Sequence, residues 1–258
     1  MRELLPGIEG SGRGDDAFDE GALASAVTSV DIHGSFDALA SAIASGASMD
    51  RLITSFVLLA ADRMARTPVA VDAGWPNLTR ELNLASSLRA LNRHGGAAAR
   101  GLFHAAWHVF ADRWINIDHR PLSEPLQPQP SPAANEDAAA ARVLDAMQTL
   151  DVEAAGARVA GYVQAGYSGE RLLHDMGRAI LQDDTGHEIL PTLRTVFDEW
   201  GNATGTHADL GAGHPASAQL LVGLARYATD VRSNSDGRSA AVTAMRFAEG
   251  RTTVEMFE

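Results

Sequence analysis

Apolar residues recur at the spacing of an α-helix along almost the whole chain. Positions i, i+3, i+4 and i+7 repeat in one segment after another, whereas the strict alternation typical of a half-buried strand is hard to find. The pattern predicts an all-α fold of about ten helices. The predicted helices cover residues 16–30, 36–44, 49–66, 77–93, 97–116, 136–150, 152–164, 169–182, 188–200, 216–231 and 237–249.

Residues that suit helix ends stand at most of the predicted boundaries. Ser and Asp side chains accept hydrogen bonds from the first turn of a helix, and glycine adopts the left-handed conformation that often ends one. The predicted N-caps are Ser35, Ser48, Ser168 and Asp236. The predicted C-caps are Gly46, Gly95, Gly166, Gly201 and Gly250.

A proline-rich segment at 121–135 interrupts the helical pattern. Its prolines cannot lie inside a helix, so the segment is predicted to be extended or disordered. It divides one helical domain, 1–258, into two halves at 16–120 and 136–250. The segment is either a linker between these halves or a recognition motif for a partner.

The composition excludes several kinds of chemistry. The chain has 258 residues, and all 21 of its basic residues are Arg, so it contains neither Lys nor Cys. Without Lys it has no Schiff-base chemistry, no pyridoxal-phosphate (PLP) anchor and no P-loop lysine. Without Cys it has no thiolate nucleophile, disulfide or iron–sulfur cluster. What remains is metal binding by nitrogen and oxygen ligands, or acid/base catalysis without a cofactor.

The charge bears on partners and location. A formal net charge of −12 with no basic cluster argues against nucleic acid and against an anionic membrane surface as partners. The first residues lack the apolar core of a signal peptide, and no apolar run is long enough to span a membrane. We expect a soluble, cytoplasmic protein, and the sequence leaves open whether it forms a homodimer.

The helix predicted at 77–93 carries a carboxylate among apolar residues. Glu81 falls near the middle of an arc of Leu and Ala side chains. A carboxylate buried there must be paired, coordinated or protonated, because burying it alone costs several kcal/mol. Glu81 is therefore either half of a structural ion pair, with Arg89 or another Arg, or a functional carboxylate.

The helix predicted at 97–116 carries an aromatic stripe and two histidines. The stripe comprises Phe103, Trp107, Phe110 and Trp114. It is compatible with a hydrophobic ligand, but we interpret it more simply as core. His104 and His108 point the same way at i, i+4, the spacing by which a helix offers two nitrogens to one metal ion. Because Ala105 and not Glu follows His104, zinc-protease chemistry is not indicated. The two histidines are either metal ligands or core residues.

A second group of ionisable residues lies between two helices of the C-terminal half. The spacing of Asp183 and Asp184 to His187 is like that of the carboxylate and His ligands in helical di-iron sites, although acidic residues before a helix also act as caps. His174 lies almost opposite the apolar face of its helix and is predicted to be either exposed to solvent or bound to a neighbouring loop. A loop-like third group, which either lines a cleft or lies at the surface, comprises His207, Asp209 and His214.

Three stretches, at 101–116, 181–200 and 220–231, together resemble a known module. It is the all-helical module of bacterial proteins that is often fused to a Rieske iron–sulfur domain, and a more distant similarity is to questin-oxidase-type oxygenases. The resemblance implies a redox-associated protein whose His-bearing helices line a pocket. The matching positions are His104, Asp112, Arg113, Asn116, Asp183, Asp184 and His187.

The chain departs from that module at one place. A His-containing motif is expected around 77–82, where this chain has Asn-Leu-Thr-Arg-Glu-Leu. Either Glu81 replaces the missing ligand or the site is degenerate. Because the chain has no Cys, it cannot hold a Rieske cluster, and electrons must come from a separate redox partner or from the substrate.

These observations give three hypotheses. The first is an oxidoreductase, an oxygenase with non-haem iron or manganese, acting on a small hydrophobic organic substrate. Its predicted metal ligands are Glu81, His104, His108, Asp183 and His187. The second is a cofactor-free enzyme with His104 or His187 as general base and an Arg as oxyanion partner. The third is a helical binding or scaffold protein whose buried polar groups are structural.

Overall fold

The regular structure is helical throughout the part of the chain that is described. The computed structural model describes residues 18–67, 74–93, 98–116, 134–182, 188–206 and 215–233. These ranges contain no strand, so the all-α prediction is confirmed. The helices are α1 (Glu20–Val27), α2 (Ile32–Ala44), α3 (Met49–Arg66), α4 (Gly74–Asn92), α5 (Ala98–Ala111), α6 (Glu136–Gln148), α7 (Val152–Gln164), α8 (Gly169–Gln182), α9 (Ile189–Thr206) and α10 (Ala218–Ser233). Short 3₁₀ segments follow α5 at Arg113–Asn116 and precede α10 at Pro215–Ser217.

Several predicted helix ends are confirmed. Helices α3, α7 and α8 have the predicted bounds, and Ser48 accepts a hydrogen bond from the backbone N–H of Arg51 at 3.2 Å. The Ser168 hydroxyl likewise accepts a hydrogen bond from the backbone N–H of Arg171 at 3.2 Å. Gly46 and Gly166 follow α2 and α7 with φ angles of 93° and 78°, the left-handed conformation expected of a glycine C-cap.

Two predicted caps are wrong. Helix α2 begins earlier than Ser35 because Asp31 caps it, and the Ser35 hydroxyl donates to the carbonyl of Ala26 at 2.8 Å from inside the helix. Helix α9 continues past Gly201 to Thr206, since a glycine inside a helix costs only about 1 kcal/mol relative to Ala. Gly95, Asp236, Gly250 and the predicted helix at 237–249 lie outside the described residues, as does nearly all of 121–135.

Helices α3 and α10 form the centre of the fold. Helix α3 packs against α4 and α10, and α10 packs against α7 as well. Every residue of α10 from Leu220 to Thr229 is buried. The two helices approach closely at Gly223, where an added Cβ would lie 2.9 Å from the Cβ of Met64. A side chain at this position would push the helices apart.

The helices on the two sides of the proline-rich segment share one core. Helix α4 contacts α9 and α3 contacts α10, so residues before and after 121–135 pack together. The buried apolar side chains, from Leu23 in α1 to Ala228 in α10, form one continuous cluster. None of the described helices is long and apolar enough to cross a membrane.

Buried arginines connect α3 to its neighbours. Arg226 of α10 is fully buried and donates to the carbonyl oxygens of Ala65 and Thr67 at the C-terminal end of α3. Its guanidinium also pairs with Glu153 of α7 at 2.6 Å. A cation is favourable here because the last carbonyls of a helix lack intrahelical donors and carry partial negative charge. Two further buried arginines, Arg63 and Arg89, also form hydrogen bonds between α3 and other helices.

Candidate functional site

A polar cleft lies between α4 and α9. Its volume is about 500 Å³. The side chains that α4 and the residue after it contribute are Asn83, Ser86, Ser87, Arg89, Ala90 and Arg93. Those from α9 are Pro191, Arg194, Thr195, Asp198, Glu199 and Asn202. All except Ala90 and Pro191 can form hydrogen bonds.

The cleft follows from the sequence of the two helices. On α4, Ser86, Ser87 and Ala90 stand at helical spacing on one face, and their side chains are too small to fill the space opposite α9. The helices are still tied together, because the Asn83 amide donates to the Thr192 hydroxyl at 3.3 Å. The cleft is thus a gap between two helices that are held at a fixed separation.

Arg89 is a rigid element of the cleft. It is buried, and its Nη2 donates to Glu199 Oε2 at 2.9 Å while its Nε lies 3.2 and 3.1 Å from the two Glu199 oxygens. Nη2 also donates to the Thr54 hydroxyl at 2.8 Å, and Nη1 reaches the carboxylate of Asp50 at 3.3 Å. Arg89 therefore joins α4 to α3 and α9 and cannot reorient without breaking several hydrogen bonds.

The cleft carries more positive than negative groups. Three guanidinium groups face two carboxylates, and both carboxylates are already paired: Glu199 with Arg89, and Asp198 with Arg194 at 3.5 Å. Arg93 is exposed and its side chain has no ion-pair or hydrogen-bond partner in the ranges that the structure describes. The cleft therefore offers one available cation in a chain whose net charge is −12.

A second polar cluster is buried between α3, α4 and the end of α5. Arg63 donates from Nη1 to both carboxylate oxygens of Glu81 and from Nη2 to the backbone carbonyl of Asp112 at 2.8 Å. The Arg63 and Glu81 side chains are 0% and 3% exposed. Of the two alternatives for Glu81, this geometry favours the structural role, and the partner of Glu81 is Arg63 and not Arg89.

Burial changes the ionisation of this cluster. Removal from water raises the pKa of Glu81 from 4.5 to about 7, although the guanidinium of Arg63 acts in the opposite direction. The Asp112 carboxyl lies within hydrogen-bonding reach and raises the Glu81 pKa further. Two carboxyl groups beside one guanidinium would carry a net negative charge if both were ionised. A proton on Glu81 leaves the buried cluster neutral.

The described structure does not bring three or more of the predicted metal ligands into one site. Glu81 is buried and paired, His104 is exposed, and His108 is half-buried. No three His, Asp or Glu side chains come close enough to hold a metal ion within the described ranges, so Glu81, His104 and His108 do not form such a site among themselves. Asp183 and His187 lie outside the described residues, and the five-ligand site stays a prediction.

Other predicted residues fall as follows. His174 is exposed, which is one of the two predicted alternatives, with its Nδ1 2.9 Å from the carbonyl oxygen of Glu170. The interpretation of the aromatic stripe as core is wrong in part: Phe103 is buried, but the Trp107 side chain is 49% exposed. Helix α5 packs on α4 and α2 with the Phe103 side, which leaves Trp107 outside. His207, Asp209 and His214 lie outside the described residues.

Sequence reasoning missed Arg63 and Glu199, although the pattern contained a signal for each. Glu199 follows Ile189, Leu193 and Val196 at helical spacing and is therefore on the apolar face of α9. Arg63 is flanked by buried residues on both sides in α3. A charged residue on an apolar face indicates a buried partner of opposite charge on a neighbouring helix.

Comparison with known proteins identifies no relative. The chain matches no family model, no curated protein and no solved structure. The resemblance to the Rieske-associated helical module and to questin-oxidase-type oxygenases accordingly stays a prediction.

Proposed function

We propose that this chain binds a small polar molecule with a carboxylate or phosphate group in the cleft between α4 and α9. The observation that carries the proposal is the lining of the cleft, where hydrogen-bonding side chains surround about 500 Å³ and one guanidinium is unpaired within the described residues. A volume of this size is typical of small-molecule sites. The proposal is a form of the binding-protein hypothesis.

The charge of the cleft supports an anionic ligand. Arginine presents a planar set of donors that matches a carboxylate or phosphate and binds either in a two-point geometry. Arg93 is the available group, while Asp198 and Glu199 are neutralised by Arg194 and Arg89. The net negative charge of the chain opposes anion binding only over distances that salt screens, beyond about 8–10 Å at physiological ionic strength.

The rigidity of the cleft supports binding rather than passive packing. Arg89 is fixed by Glu199, Thr54 and Asp50, so the donors and acceptors near it are already in place before a ligand arrives. A preformed site binds more tightly because less side-chain freedom is lost on association. The hydroxyl groups of Ser86 and Thr195 would select for hydroxyl, amide or amine groups on the ligand.

A thermal-unfolding screen tests this function. Inorganic phosphate, succinate and citrate are added separately at millimolar concentration and at constant ionic strength. A ligand at 100 times its Kd stabilises the folded protein by about 2.7 kcal/mol, which raises the unfolding temperature measurably. We expect at least one anion to stabilise the wild-type protein and to have no effect on Arg93→Gln.

The matched control is Arg178→Gln, which removes an exposed arginine of α8 outside the cleft. It should respond to the anion as the wild type does. Equal stabilisation of the wild type, Arg93→Gln and Arg178→Gln would mean that the anion acts nonspecifically. That result, or no stabilisation by any of the anions, would contradict the proposal.

The oxygenase and the cofactor-free enzyme are separate hypotheses. The oxygenase needs Asp183 and His187, and the cofactor-free enzyme uses His104 or His187 as its general base. Asp183 and His187 lie outside the described residues. Metal analysis of the purified protein tests the oxygenase hypothesis. One equivalent of iron or manganese in the wild type, and its loss in both Glu81→Gln and His187→Gln, would support that hypothesis. The anion-binding proposal does not depend on that result.

A further inference from the structure

The exposed face of α5 carries two histidines whose rings are available. His104 is exposed and His108 is half-buried, and in the described ranges neither imidazole has a hydrogen-bond or ion-pair partner. The exposed His174 differs, because its Nδ1 contacts the Glu170 carbonyl and its ring packs edge-on against Phe197 at 5.3 Å between ring centres. His104 and His108 therefore keep nitrogen atoms free to bind a ligand.

The helix holds the two imidazoles at a fixed spacing. Residues at i and i+4 are neighbours on a helix surface, with Cβ atoms about 6 Å apart. Both positions lie well inside α5, which runs from Ala98 to Ala111 and packs on α4, so the backbone between them is ordered. Two imidazoles at this distance can turn inward and bind one metal ion through one nitrogen each.

Two arginines flank the histidines in the sequence. Arg100 is exposed and lies one helical turn before His104 in α5. Arg113 is held over the Phe110 ring at 4.2 Å and donates to the Phe110 carbonyl at 3.0 Å, so its guanidinium is already engaged. The net charge of −12 favours cations over the whole chain, and the absence of Cys removes the thiolates that would compete for soft metals. Trp107, 49% exposed, lies between the two histidines in the sequence.

We propose that His104 and His108 form a surface site for a divalent transition-metal ion, with water completing the coordination shell. Imidazole nitrogen suits Cu²⁺ and Zn²⁺, and Cu²⁺ binds most tightly in the usual order of divalent ions. Mg²⁺ and Ca²⁺ require oxygen ligands, which this face of α5 does not offer in the described residues. The site is distinct from the cleft between α4 and α9, and it uses only His104 and His108 of the five ligands predicted from the sequence.

Cu²⁺ titration of the full chain tests the site, with tryptophan fluorescence as the signal. A paramagnetic Cu²⁺ ion held beside Trp107 should quench its emission in a saturable step that EDTA reverses and Mg²⁺ does not produce. His104→Gln and His108→Gln should each weaken Cu²⁺ binding at least about tenfold, because the second imidazole otherwise binds at high effective concentration. Trp107→Phe should lose the quenching step but keep the affinity measured by calorimetry.

The control is His33→Gln, which removes a single exposed histidine of α2 that lacks an i+4 or i−4 histidine. It should keep the wild-type affinity. The proposal is overturned if either His104→Gln or His108→Gln binds Cu²⁺ as tightly as the wild type, or if His33→Gln weakens binding equally. Circular dichroism of each variant confirms that these surface substitutions leave the helical content unchanged.

Discussion

The buried cluster of Arg63, Glu81 and Asp112 should make folding stability depend on pH. The pKa of Glu81 is about 7 in the folded protein and 4.5 in the unfolded chain, mainly because burial disfavours its charged form. The folded state therefore binds a proton more tightly than the unfolded state does. The stabilisation from this proton is fully present below pH 4.5 and is lost as the pH rises through 7.

The size of the effect follows from these two values. The interval from 4.5 to 7 is 2.5 pH units, and each unit corresponds to about 1.36 kcal/mol, which gives about 3 kcal/mol for Glu81. Glu136 acts in a different pH range: the phenol of Tyr162 donates to it and lowers its pKa below 4.5. Its contribution is lost as the pH falls below 4.5 and does not overlap with that of Glu81.

Urea unfolding from pH 4.5 to 8, followed by circular dichroism, measures the prediction. The free energy of unfolding of the wild type should fall by about 3 kcal/mol from Glu81 across this range. Glu81→Gln replaces the carboxyl with a neutral group of the same shape, so its unfolding free energy should show a much flatter slope. The charge-matched control, Glu170→Gln, removes an exposed carboxylate of α8 and tests the effect of net charge alone.

Two outcomes would contradict a protonated Glu81 in the folded protein. If the wild type and Glu81→Gln show the same slope between pH 4.5 and 7, then Glu81 is ionised in the folded protein throughout that range. The Arg63 guanidinium would then outweigh burial, and the cluster would be an ordinary ion pair. If Glu170→Gln flattens the slope as much as Glu81→Gln does, the pH dependence comes from overall charge.

Two further predictions concern the packing of the helices, and thermal or urea unfolding measures both. Gly223→Ala should lower the free energy of unfolding by about 1–3 kcal/mol because the added Cβ would meet Met64. The control, Gly201→Ala, has open space around it and should raise the free energy of unfolding by about 1 kcal/mol. Equal effects of the two substitutions would contradict the close approach of α3 and α10. Arg89→Met should lower the free energy of unfolding by about 3–5 kcal/mol because it leaves Glu199 buried and unpaired. The double variant Arg89→Met/Glu199→Met should recover most of the lost stability. A double variant no more stable than Arg89→Met would refute the pairing.

The helical fold could be predicted because its signals are local. Periodic apolar positions and capping residues depend only on neighbours in the sequence, and they located α3, α7 and α8 with the correct bounds. Ser35 and Gly201 misled the prediction for different reasons. Asp31 is a competing local cap and starts α2 before Ser35. At Gly201, burial of Ala203 favours continuation of α9.

The site could be predicted only in part because it depends on which helices meet. The sequence identified Glu81 as a carboxylate on an apolar face but could not identify Arg63 as its partner, since their pairing requires the packing of α3 on α4. The cleft gave no signal of its own. Its two walls are ordinary polar helix faces, and only the contact between α4 and α9 places Arg93 opposite residues such as Arg194 and Asp198.

Which face of α5 points to the core could not be predicted from the sequence either. Its wide apolar face left open whether His104 and His108 point into the core or away from it. Packing of Phe103 against Phe36, with ring centres 5.6 Å apart, fixes the rotation of the helix and turns Trp107 and His104 outward. The same spacing that suggested ligands in a pocket therefore predicts a site at the surface.

Backbone-amide NMR tests the claim that the cleft between α4 and α9 binds an anion. The ¹⁵N-labelled protein is titrated with inorganic phosphate, succinate and citrate at constant ionic strength. We predict saturable shifts for amides of α4 from Asn83 onward and of α9 from Thr192 to Asn202, and their loss in Arg93→Gln. Shifts confined to other helices, or none with any of the three anions, would contradict the claim.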